Sequence, residues 1–290
     1  GVQISIGSVT SGACKSFGEA AKEDNVLFMT PSASAADVIA TGAHGFRVCF
    51  GDPQQGTIAA DELTKTFSKI GVIYDTSDTY SSGIYEAFEA QMTKLNKTKD
   101  TDYVVKTFNK ENNKDFSTQV GNLKDAGCDV LFLPFYYTEA SRILNSANDI
   151  GYAPTFFGCD GMDGILTIEG FDPAMAEGLV LMTPFDANAS DAATQAFVSK
   201  YMEQNNGQIP NQFAADGYDC IYAIYEAMTA AGLDGTASHE EICDALVQWF
   251  TTNNGFDGLT GKGMTWDESG MISKLPAAVV INNGVYVPME

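Results

Sequence analysis

The sequence predicts an α/β protein with two doubly wound parallel sheets, each covered by helices on both faces. Over the first two thirds of the chain, strand-like apolar runs alternate with segments of helical periodicity, a pattern typical of parallel strands joined by crossover helices. The composition, with 44% hydrophobic residues and 28 glycines among 290 residues, is that of a globular protein. Since a single hydrophobic core stops growing at about 250–300 residues, two smaller sheets fit this length better than one large sheet.

The predicted strands are short apolar runs that are long enough to cross one sheet. Between them, apolar residues recur at helical spacing, as at Ile84, Phe88, Met92 and Leu95, so the intervening segments are expected to form helices that lie against the sheets. The predicted strands are Val2–Ile6, Val26–Met29, Ile70–Tyr74, Tyr103–Phe108, Val130–Leu133, Thr155–Phe157 and Gly178–Met182.

The last third of the chain has a different pattern, in which helices dominate. Phe197–Tyr201 and Phe213–Met228 have helical spacing, and Gly232 is a suitable C-cap for the second helix. A third helix is expected at His239–Trp249, followed by strand-like pieces around Gly258–Thr265. The helix over 213–228 carries one apolar stripe, which consists of Ala214, Tyr218, Ile221, Tyr222, Tyr225 and Met228.

The end of the sequence predicts a β-hairpin. Ala277–Ile281 and Val285–Val287 are apolar runs of strand length. The Asn282-Asn283-Gly284 segment between them suits a tight turn, because Asn and Gly tolerate positive φ.

The charge balance excludes two classes of partner. The chain has 16 Lys and Arg residues against 38 Asp and Glu residues, a net charge of −22. So acidic a surface repels the phosphates of nucleic acids and an anionic membrane surface. No apolar run approaches the ~18 residues that a membrane-spanning helix needs. We therefore expect contact with a membrane only through a lipid anchor or a membrane-bound partner.

Cysteine and histidine give no pattern that predicts a metal, a cofactor or a catalytic centre. The six cysteines contain no CxxC pair and stand among apolar neighbours, which is typical of small buried side chains. His44 and His239 are the only histidines in the sequence, and neither lies in a motif. No nucleophile stands beside a visible base, so we expect no catalytic residues, no metal and no cofactor.

The most informative segment is Ile4–Gly12, in which a strand runs into a loop of small residues and a helix begins near Ser11. A helix N-terminus offers free backbone N–H groups and a partial positive charge, so it can hold an anion. The segment lacks the Lys of a phosphate-binding loop. Two interpretations stay open at this point: Ser11 caps its own helix, or it contacts a ligand.

A second segment repeats this arrangement one strand later. Val26–Met29 is followed by Ser32 and Ser34, and Ser34 with Asp37 resembles a capping box. Ligands of open α/β sheets bind at the carboxyl ends of the strands. Two hydroxyl-rich loops at that edge are suited to gripping a carboxylate.

A third segment places an acid directly after a strand, and aromatic residues follow other strands. Asp160 lies between glycines after Thr155–Phe157, where it can meet a cation. Tyr80 and Tyr136 each follow a strand, and Phe213 opens a helix; any one ring alone is more simply explained as core packing. Together, hydroxyls for a carboxylate, an acid for an ammonium and rings for a side chain indicate a binding site for a zwitterion.

A series of motifs that covers nearly all of the chain, in order, matches a known family. The motifs are IGSVTSGA, FMTPSASA, FRVCFGDPQQGTIAA, VIYDTSDTYSSG, KDFSTQV, DVLFLPFYYTEA, FFGCDGM, AEGLVLMTPF, GYDCIYAIYEAM and GLTGKGMTWDESG. With these motifs the chain resembles the amino-acid-binding proteins of ABC importers of the leucine/isoleucine/valine-binding type.

The resemblance implies a type I periplasmic-binding-protein fold, in which two lobes joined by three crossovers close on a ligand in the cleft between them. Its motifs assign Ser11, Ser32 and Ser34 to the α-carboxylate and partly to the ammonium. They assign Asp160 to the ammonium. The pocket lining would come from Tyr80, Tyr136 and Phe213; Phe213 stands where a Tyr is often found, and Asp160 where some relatives have Glu.

The lobe boundaries are predicted from Asp52-Pro53 and Thr183-Pro184, each of which closes a strand before a helical segment, and the resemblance predicts one difference from the family. Crossovers are expected near Phe50–Pro53, Pro184–Asp186 and Leu275–Ala277, so that lobe one comprises residues 1–51 and 185–275, and lobe two residues 52–184 and 276–290. Family members begin with a strand, a ligand-contacting loop, a helix and a second strand. We expect the βαβ unit at the start, roughly 30 residues or more, to be absent here.

The function that follows from the resemblance is that of an extracytoplasmic solute-binding protein in the periplasm or on the cell surface. It would bind a neutral, branched-chain-like amino acid and deliver it to an ABC transporter permease, without chemistry of its own. Two alternatives stay open: an α/β enzyme that uses Asp160 with Ser11 or Tyr136, and a sensory ligand-binding domain.

Overall fold

The computed structural model describes residues 1–42 and 44–289, which divide into two compact units. Unit 1 comprises Gly1–Gly51 and Ala187–Leu275, and unit 2 comprises Asp52–Asp186 and Pro276–Glu290. Among the described residues, every helix is too short or too polar to span a lipid bilayer. The assignment of these units to the lobes of a closing binding protein stays a prediction.

In its described residues, unit 1 contains four helices and a sheet of three parallel strands that pair in chain order. The strand β3 was not expected from the sequence, because three residues that begin with glycine have no recognisable strand pattern. The elements of unit 1 are β1 (Ile4–Ile6), α1 (Ser11–Ala21), β2 (Leu27–Thr30), β3 (Gly45–Arg47), α6 (Ala192–Gln204), α7 (Gln212–Ala231) and α8 (His239–Thr252).

Helix α7 confirms the predicted helix, and Gly232 follows it in the left-handed conformation with φ 67°. Its buried face, however, differs from the expected apolar stripe. Most of its side chains in the core cluster are small, namely Cys220, Ala223 and Ala227, and Ile224 joins them. The members of the stripe that are exposed instead are Tyr218, Ile221, Tyr222 and Tyr225.

Two local expectations in unit 1 are wrong. No helix follows Ser34 between residues 35 and 42, so Ser34 and Asp37 form no capping box, and Asp37 instead pairs with Lys15 at 2.5 Å. The strand-like pieces near 258–265 form only isolated bridges, such as Phe256 with Met264. In both places the sequence is rich in small and turn-forming residues, which satisfy their backbone groups without regular structure.

Unit 2 contains a seven-stranded sheet in the order β10-β9-β8-β7-β6-β4-β5. The five strands from β4 to β8 are parallel, whereas β9 and β10 are antiparallel to their neighbours. The elements are α2 (Asp52–Thr66), β4 (Ile70–Asp75), α3 (Thr79–Lys94), β5 (Tyr103–Phe108), α4 (Ser117–Asp125), β6 (Val130–Leu133), α5 (Tyr137–Asp149), β7 (Thr155–Gly158), β8 (Val180–Thr183), β9 (Ala277–Asn282) and β10 (Val285–Pro288).

Most strands of unit 2 follow the sequence prediction because they are compact apolar runs, although β5 includes the polar Lys106 and Thr107. All residues of β6 and β8 are buried, as expected for parallel strands covered on both faces. The terminal hairpin is also confirmed, and its turn residues Asn283 and Gly284 have φ values of 52° and 73°. These are the positive φ values that a tight hairpin turn requires.

Parallel strands bring the predicted site residues of each unit to one edge of its sheet. In unit 2, β4, β6 and β7 are neighbours; Tyr80 follows β4, Tyr136 follows β6 and Asp160 follows β7. In unit 1, Ser11 follows β1, and both Ser32 and Ser34 follow β2. The carboxyl ends of parallel strands meet at the same edge, where ligands of such sheets bind.

Candidate functional site

Asp160 is the buried acid of unit 2. It begins a short 3₁₀ turn directly after β7, and it is 3% exposed. Its Oδ1 atom accepts hydrogen bonds from the Tyr80 hydroxyl at 2.6 Å, from the Gln55 side-chain amide at 2.9 Å and from the Gly161 backbone N–H at 3.0 Å. Burial raises the pKa of Asp160, and these donors, led by Tyr80, oppose the rise.

Tyr80 reaches Asp160 because the residue that follows Asp160 in the turn, Gly161, is a glycine. The Tyr80 hydroxyl accepts a hydrogen bond from Gly161 N–H at 2.9 Å. A Cβ atom on Gly161 would lie 2.8 Å from that hydroxyl oxygen, a distance that real Cβ atoms do not adopt. Burial, and after it the charge of Asp160, raise the pKa of the Tyr80 phenol. The phenol therefore remains a hydrogen-bond donor at neutral pH.

Gln55 is a functional candidate that sequence reasoning missed. It lies in the first turn of α2, is fully buried, and bonds to Asp160 twice: its amide donates to Oδ1, and its carbonyl oxygen accepts from the Asp160 backbone N–H at 3.0 Å. The nearby Gly56 lets α2 approach α3, since a Cβ there would collide with the carbonyl oxygen of Ile84. The Asp52-Pro53-Gln54-Gln55-Gly56 segment is recognisable in the sequence as the start of a helix. The sequence does not show, however, that Gln55 contacts Asp160, which is 105 residues away.

Tyr136 stands directly before α5 and packs against Tyr80. The ring centroids of the two tyrosines are 5.2 Å apart, and the rings are nearly parallel. Burial raises the pKa of the Tyr136 phenol, as do the charges of Asp78 and Asp160. Unit 2 thus brings together the three residues predicted there, Tyr80, Tyr136 and Asp160, and places two stacked neutral rings near the acid.

The two hydroxyl-rich loops of unit 1 are joined to each other by hydrogen bonds. Ser11 is the first residue of α1, and Thr10 is the N-cap residue; the Ser11 hydroxyl accepts from the Ala35 backbone N–H at 3.2 Å. The Ser32 hydroxyl donates to the Val9 carbonyl at 2.8 Å. A hydroxyl has one hydrogen and two lone pairs. Ser11 can therefore still donate to a carboxylate, and Ser32 can still accept from an ammonium.

Ser34 lies beside a buried cation that the sequence did not place at the site. The Arg47 guanidinium is fully buried and donates to the Ser34 carbonyl at 2.5 Å and to the Ala35 carbonyl at 2.7 Å. In residues 1–42 and 44–289, no carboxylate forms an ion pair with Arg47, and the Ser34 hydroxyl has no hydrogen-bond partner. Sequence reasoning missed Arg47 because this residue reaches Ser34 and Ala35 from β3, outside the segments that the motifs singled out.

Phe213 is the second residue of α7, and its side chain is half buried. The preceding Asn211 caps the helix by accepting from the Ala214 backbone N–H at 3.3 Å. One turn further along, Asp216 forms a buried ion pair with Lys274 at 3.0 Å. These contacts fix the start of α7, while the predicted role of Phe213 in lining a pocket stays a prediction.

The comparisons with known proteins agree with one another. The family profile for periplasmic binding proteins matches residues 1–284. A Leu/Ile/Val-binding protein homolog of Brucella melitensis is 29% identical over 238 residues, which are 80% of this chain and 61% of the relative. The chain thus spans less than two thirds of the length of that curated relative.

Solved structures share the fold. The leucine-binding protein LivK of Thermotoga maritima has a TM-score of 0.84 and 27% identity, over 100% of this chain and 79% of that protein. The branched-chain amino acid binding protein LivJ of Streptococcus pneumoniae, solved with isoleucine, also has a TM-score of 0.84, with 24% identity over 99% of this chain and 80% of that protein.

Proposed function

The chain belongs to the periplasmic binding protein family, and we propose that it binds a neutral α-amino acid and delivers it to the permease of an ABC transporter. Its relatives include proteins named for binding leucine, isoleucine and valine. In that role the protein would be located outside the cytoplasm, in the periplasm or on the cell surface.

The observation that carries the proposal is the buried carboxylate of Asp160. Three donors converge on its Oδ1 atom, so the carboxylate is fixed in position before any ligand arrives. An ammonium group that meets a desolvated, immobile carboxylate gains more than it would from a solvated one. A ligand without an ammonium, such as benzoate, would instead place a second negative charge near Asp160.

The serines of unit 1 support recognition of the ligand carboxylate. The Ser11 hydroxyl retains its hydrogen for an acceptor, and the N-terminus of α1 adds a partial positive charge. The buried Arg47, which lacks a carboxylate partner in the described part of the chain, adds positive charge beside Ser34. We assign these groups to the carboxylate and Asp160 to the ammonium.

The aromatic residues support a neutral ligand side chain. The stacked rings of Tyr80 and Tyr136 stand next to Asp160, and Phe213 is the third predicted ring. A charged side chain buried among rings would cost several kcal/mol without a partner. Leucine, isoleucine and valine are therefore the first candidates.

The test is a thermal-shift screen of the 290-residue protein against amino acids and other metabolites, followed by calorimetry and recovery of the ligand. A binding protein is stabilised by its ligand and leaves it unchanged, whereas an enzyme would convert it. A competition series with Leu, Ile, Val, Ala, Phe, Glu and Arg then ranks the side chains. Tightest binding of Glu or Arg would contradict the neutral pocket.

A variant of the key acid completes the test. Asp160→Ala should weaken amino acid binding by about 2–5 kcal/mol, because the ligand ammonium loses its charged partner. Circular dichroism checks the fold. The matched control is Asp149→Ala, which removes an exposed acid of the same unit and should leave affinity unchanged. Equal affinity of the two variants would move the ammonium site elsewhere.

A further inference from the structure

Gln55 is the side chain that holds Asp160 at two points. Its amide donates to Oδ1 of Asp160 at 2.9 Å, and its carbonyl oxygen accepts from the Asp160 backbone N–H at 3.0 Å. A side chain that bonds both to the backbone and to the carboxylate of one residue fixes its position and its χ angles. Because Gln55 is fully buried, water does not compete for either bond.

From this geometry, we infer that Gln55 is a positioning residue that keeps Asp160 ionised and oriented for an ammonium group. The inference rests on the proposed function, and it adds a residue to which the family comparison assigns no role. Gln55 itself need not touch the ligand. Its amide N–H donates to Oδ1 of Asp160, and such a donor bonds more strongly to a carboxylate than to a carboxylic acid, so it favours the ionised form.

Donors are needed here because the surroundings of Asp160 oppose its charge. Burial raises the pKa of Asp160, and hydrogen-bond donors, first Tyr80 and then Gln55, oppose this rise. Burial also raises the pKa values of the nearby phenols and of the thiol, which are therefore neutral at neutral pH. Besides Asp160, the titratable groups that act on this region are Asp52 from α2, Asp75 at the end of β4, Asp78 before α3, Tyr80 from α3, Tyr136 before α5 and Cys159 after β7.

The sign of the pH dependence follows from that balance. The ligand ammonium pairs with the ionised form of Asp160, so affinity falls as the pH drops below the pKa of Asp160 in the free protein. Removing the Gln55 donor raises this pKa further. The acid-side loss of affinity then begins at a higher pH, by about one pH unit for one hydrogen bond to a charged group. A purely structural role would lower stability without moving this midpoint.

Two substitutions separate the donor from the volume of the side chain. Gln55→Met keeps the length of the side chain and removes both bonds. Gln55→Glu keeps an oxygen for the Asp160 N–H but replaces the donor with an acid, so its effect on the midpoint should be larger. The matched control is Gln54→Glu, which adds the same charge to the same turn of α2 at the neighbouring residue.

The experiment titrates Asp160 directly and through binding. The Asp160 carboxyl signal is followed by ¹³C NMR of Asp-labelled protein, with Asp160→Asn for its assignment, and leucine affinity is measured by calorimetry across the same pH range. We expect both midpoints to rise by about one pH unit in Gln55→Met, by more in Gln55→Glu, and by far less in Gln54→Glu. Midpoints that remain at the wild-type value in both Gln55 variants would overturn the inference.

The two proposals fail in different ways. If the wild-type protein binds no amino acid, the proposed function fails, while the NMR titration still decides the role of Gln55. If neither Gln55 variant folds, the role of Gln55 is tested in the wild-type protein. The side-chain amide signals of Gln55 should then shift with the same midpoint as the Asp160 carboxyl, and amide signals that do not respond to that titration would overturn the inference.

Discussion

The hydroxyl of Tyr80 donates a 2.6 Å hydrogen bond to the carboxylate of Asp160, although the two residues are 80 positions apart. They meet because β4 and β7 lie on either side of β6 in one parallel sheet, which brings their carboxyl ends to one edge. The bond ties the first turn of α3 to the turn after β7. A buried acid is thus held by side chains from separate elements of unit 2.

The charge of Asp160 should cost stability when no ligand is present. Burial raises its pKa above the ordinary value of 3.8, so the folded protein binds this proton more readily than the unfolded chain. The resulting stabilisation is fully present below the ordinary pKa and is lost as the pH rises through the raised one. Asp160→Asn, which does not ionise, should therefore be more stable than the wild type at neutral pH and similar to it at low pH.

Urea unfolding at a series of pH values checks this prediction. Asp149→Asn serves as the control, because it makes the same substitution at an exposed acid of the same unit. A stability difference between Asp160→Asn and the wild type that does not change with pH would contradict the argument from burial.

Ser34 and Ser32 should respond in opposite ways to the same substitution. The Ser34 hydroxyl is buried and has no hydrogen-bond partner in the described part of the protein, so Ser34→Ala should leave stability unchanged or raise it slightly. Ser32→Ala removes the bond to the Val9 carbonyl and should cost about 1 kcal/mol. Both variants should weaken amino acid binding. Thermal unfolding with calorimetry distinguishes the two effects, and a large destabilisation by Ser34→Ala would mean that its hydroxyl has a structural partner.

Arg47 should be sensitive even to a conservative change. Its planar guanidinium donates to two successive carbonyls, those of Ser34 and Ala35, and the compact ammonium of a lysine does not reproduce that fork. Arg47→Lys should cost about 2–4 kcal/mol, since one charge-assisted hydrogen bond is worth about 1.5–3 kcal/mol. Urea unfolding measures this loss. The exposed Lys65 provides the reverse control, because Lys65→Arg should change stability by less than about 0.5 kcal/mol.

The sequence predicts the strands of unit 2 because apolar residues dominate most of them, as in Val130–Leu133. Strand order then placed Tyr80, Tyr136 and Asp160 at one edge, so proximity followed from the fold class. The second loop of unit 1 was predicted poorly. Ser34 with Asp37 has the spacing of a capping box, but a tertiary ion pair with Lys15 takes the carboxylate instead.

Gln55 and Arg47 were missed for a different physical reason. Each uses a long side chain to form hydrogen bonds with a residue outside its own helix or strand. Gln55 bonds to Asp160, 105 residues away, and Arg47 bonds to Ser34, 13 residues away. Hydrophobic periodicity reports which face of an element is buried, but it does not report which polar group meets which. Such contacts depend on where the tertiary fold places the two polar groups.

Gly161 should be required for binding, because of the space that it leaves for Tyr80. A Cβ atom at this position would lie 2.8 Å from the Tyr80 hydroxyl and 3.1 Å from the Phe135 carbonyl oxygen. Gly161→Ala should push the phenol away from Asp160 and reduce amino acid affinity by about tenfold, the equivalent of one hydrogen bond to a charged group. Calorimetry measures the affinity.

The control for Gly161→Ala is Gly121→Ala in the middle of α4, where an added Cβ atom would meet nothing within 4 Å. This change should stabilise the protein by about 0.5–1 kcal/mol, because alanine is the better helix former, and it should leave affinity unchanged. Full affinity in Gly161→Ala, with the ring of Tyr80 simply displaced, would show that the bond between Tyr80 and Asp160 is dispensable for binding. If the loss in Gly161→Ala comes from the broken bond between Tyr80 and Asp160, the double variant Gly161→Ala/Tyr80→Phe should bind no more weakly than Tyr80→Phe alone, because that bond is already absent.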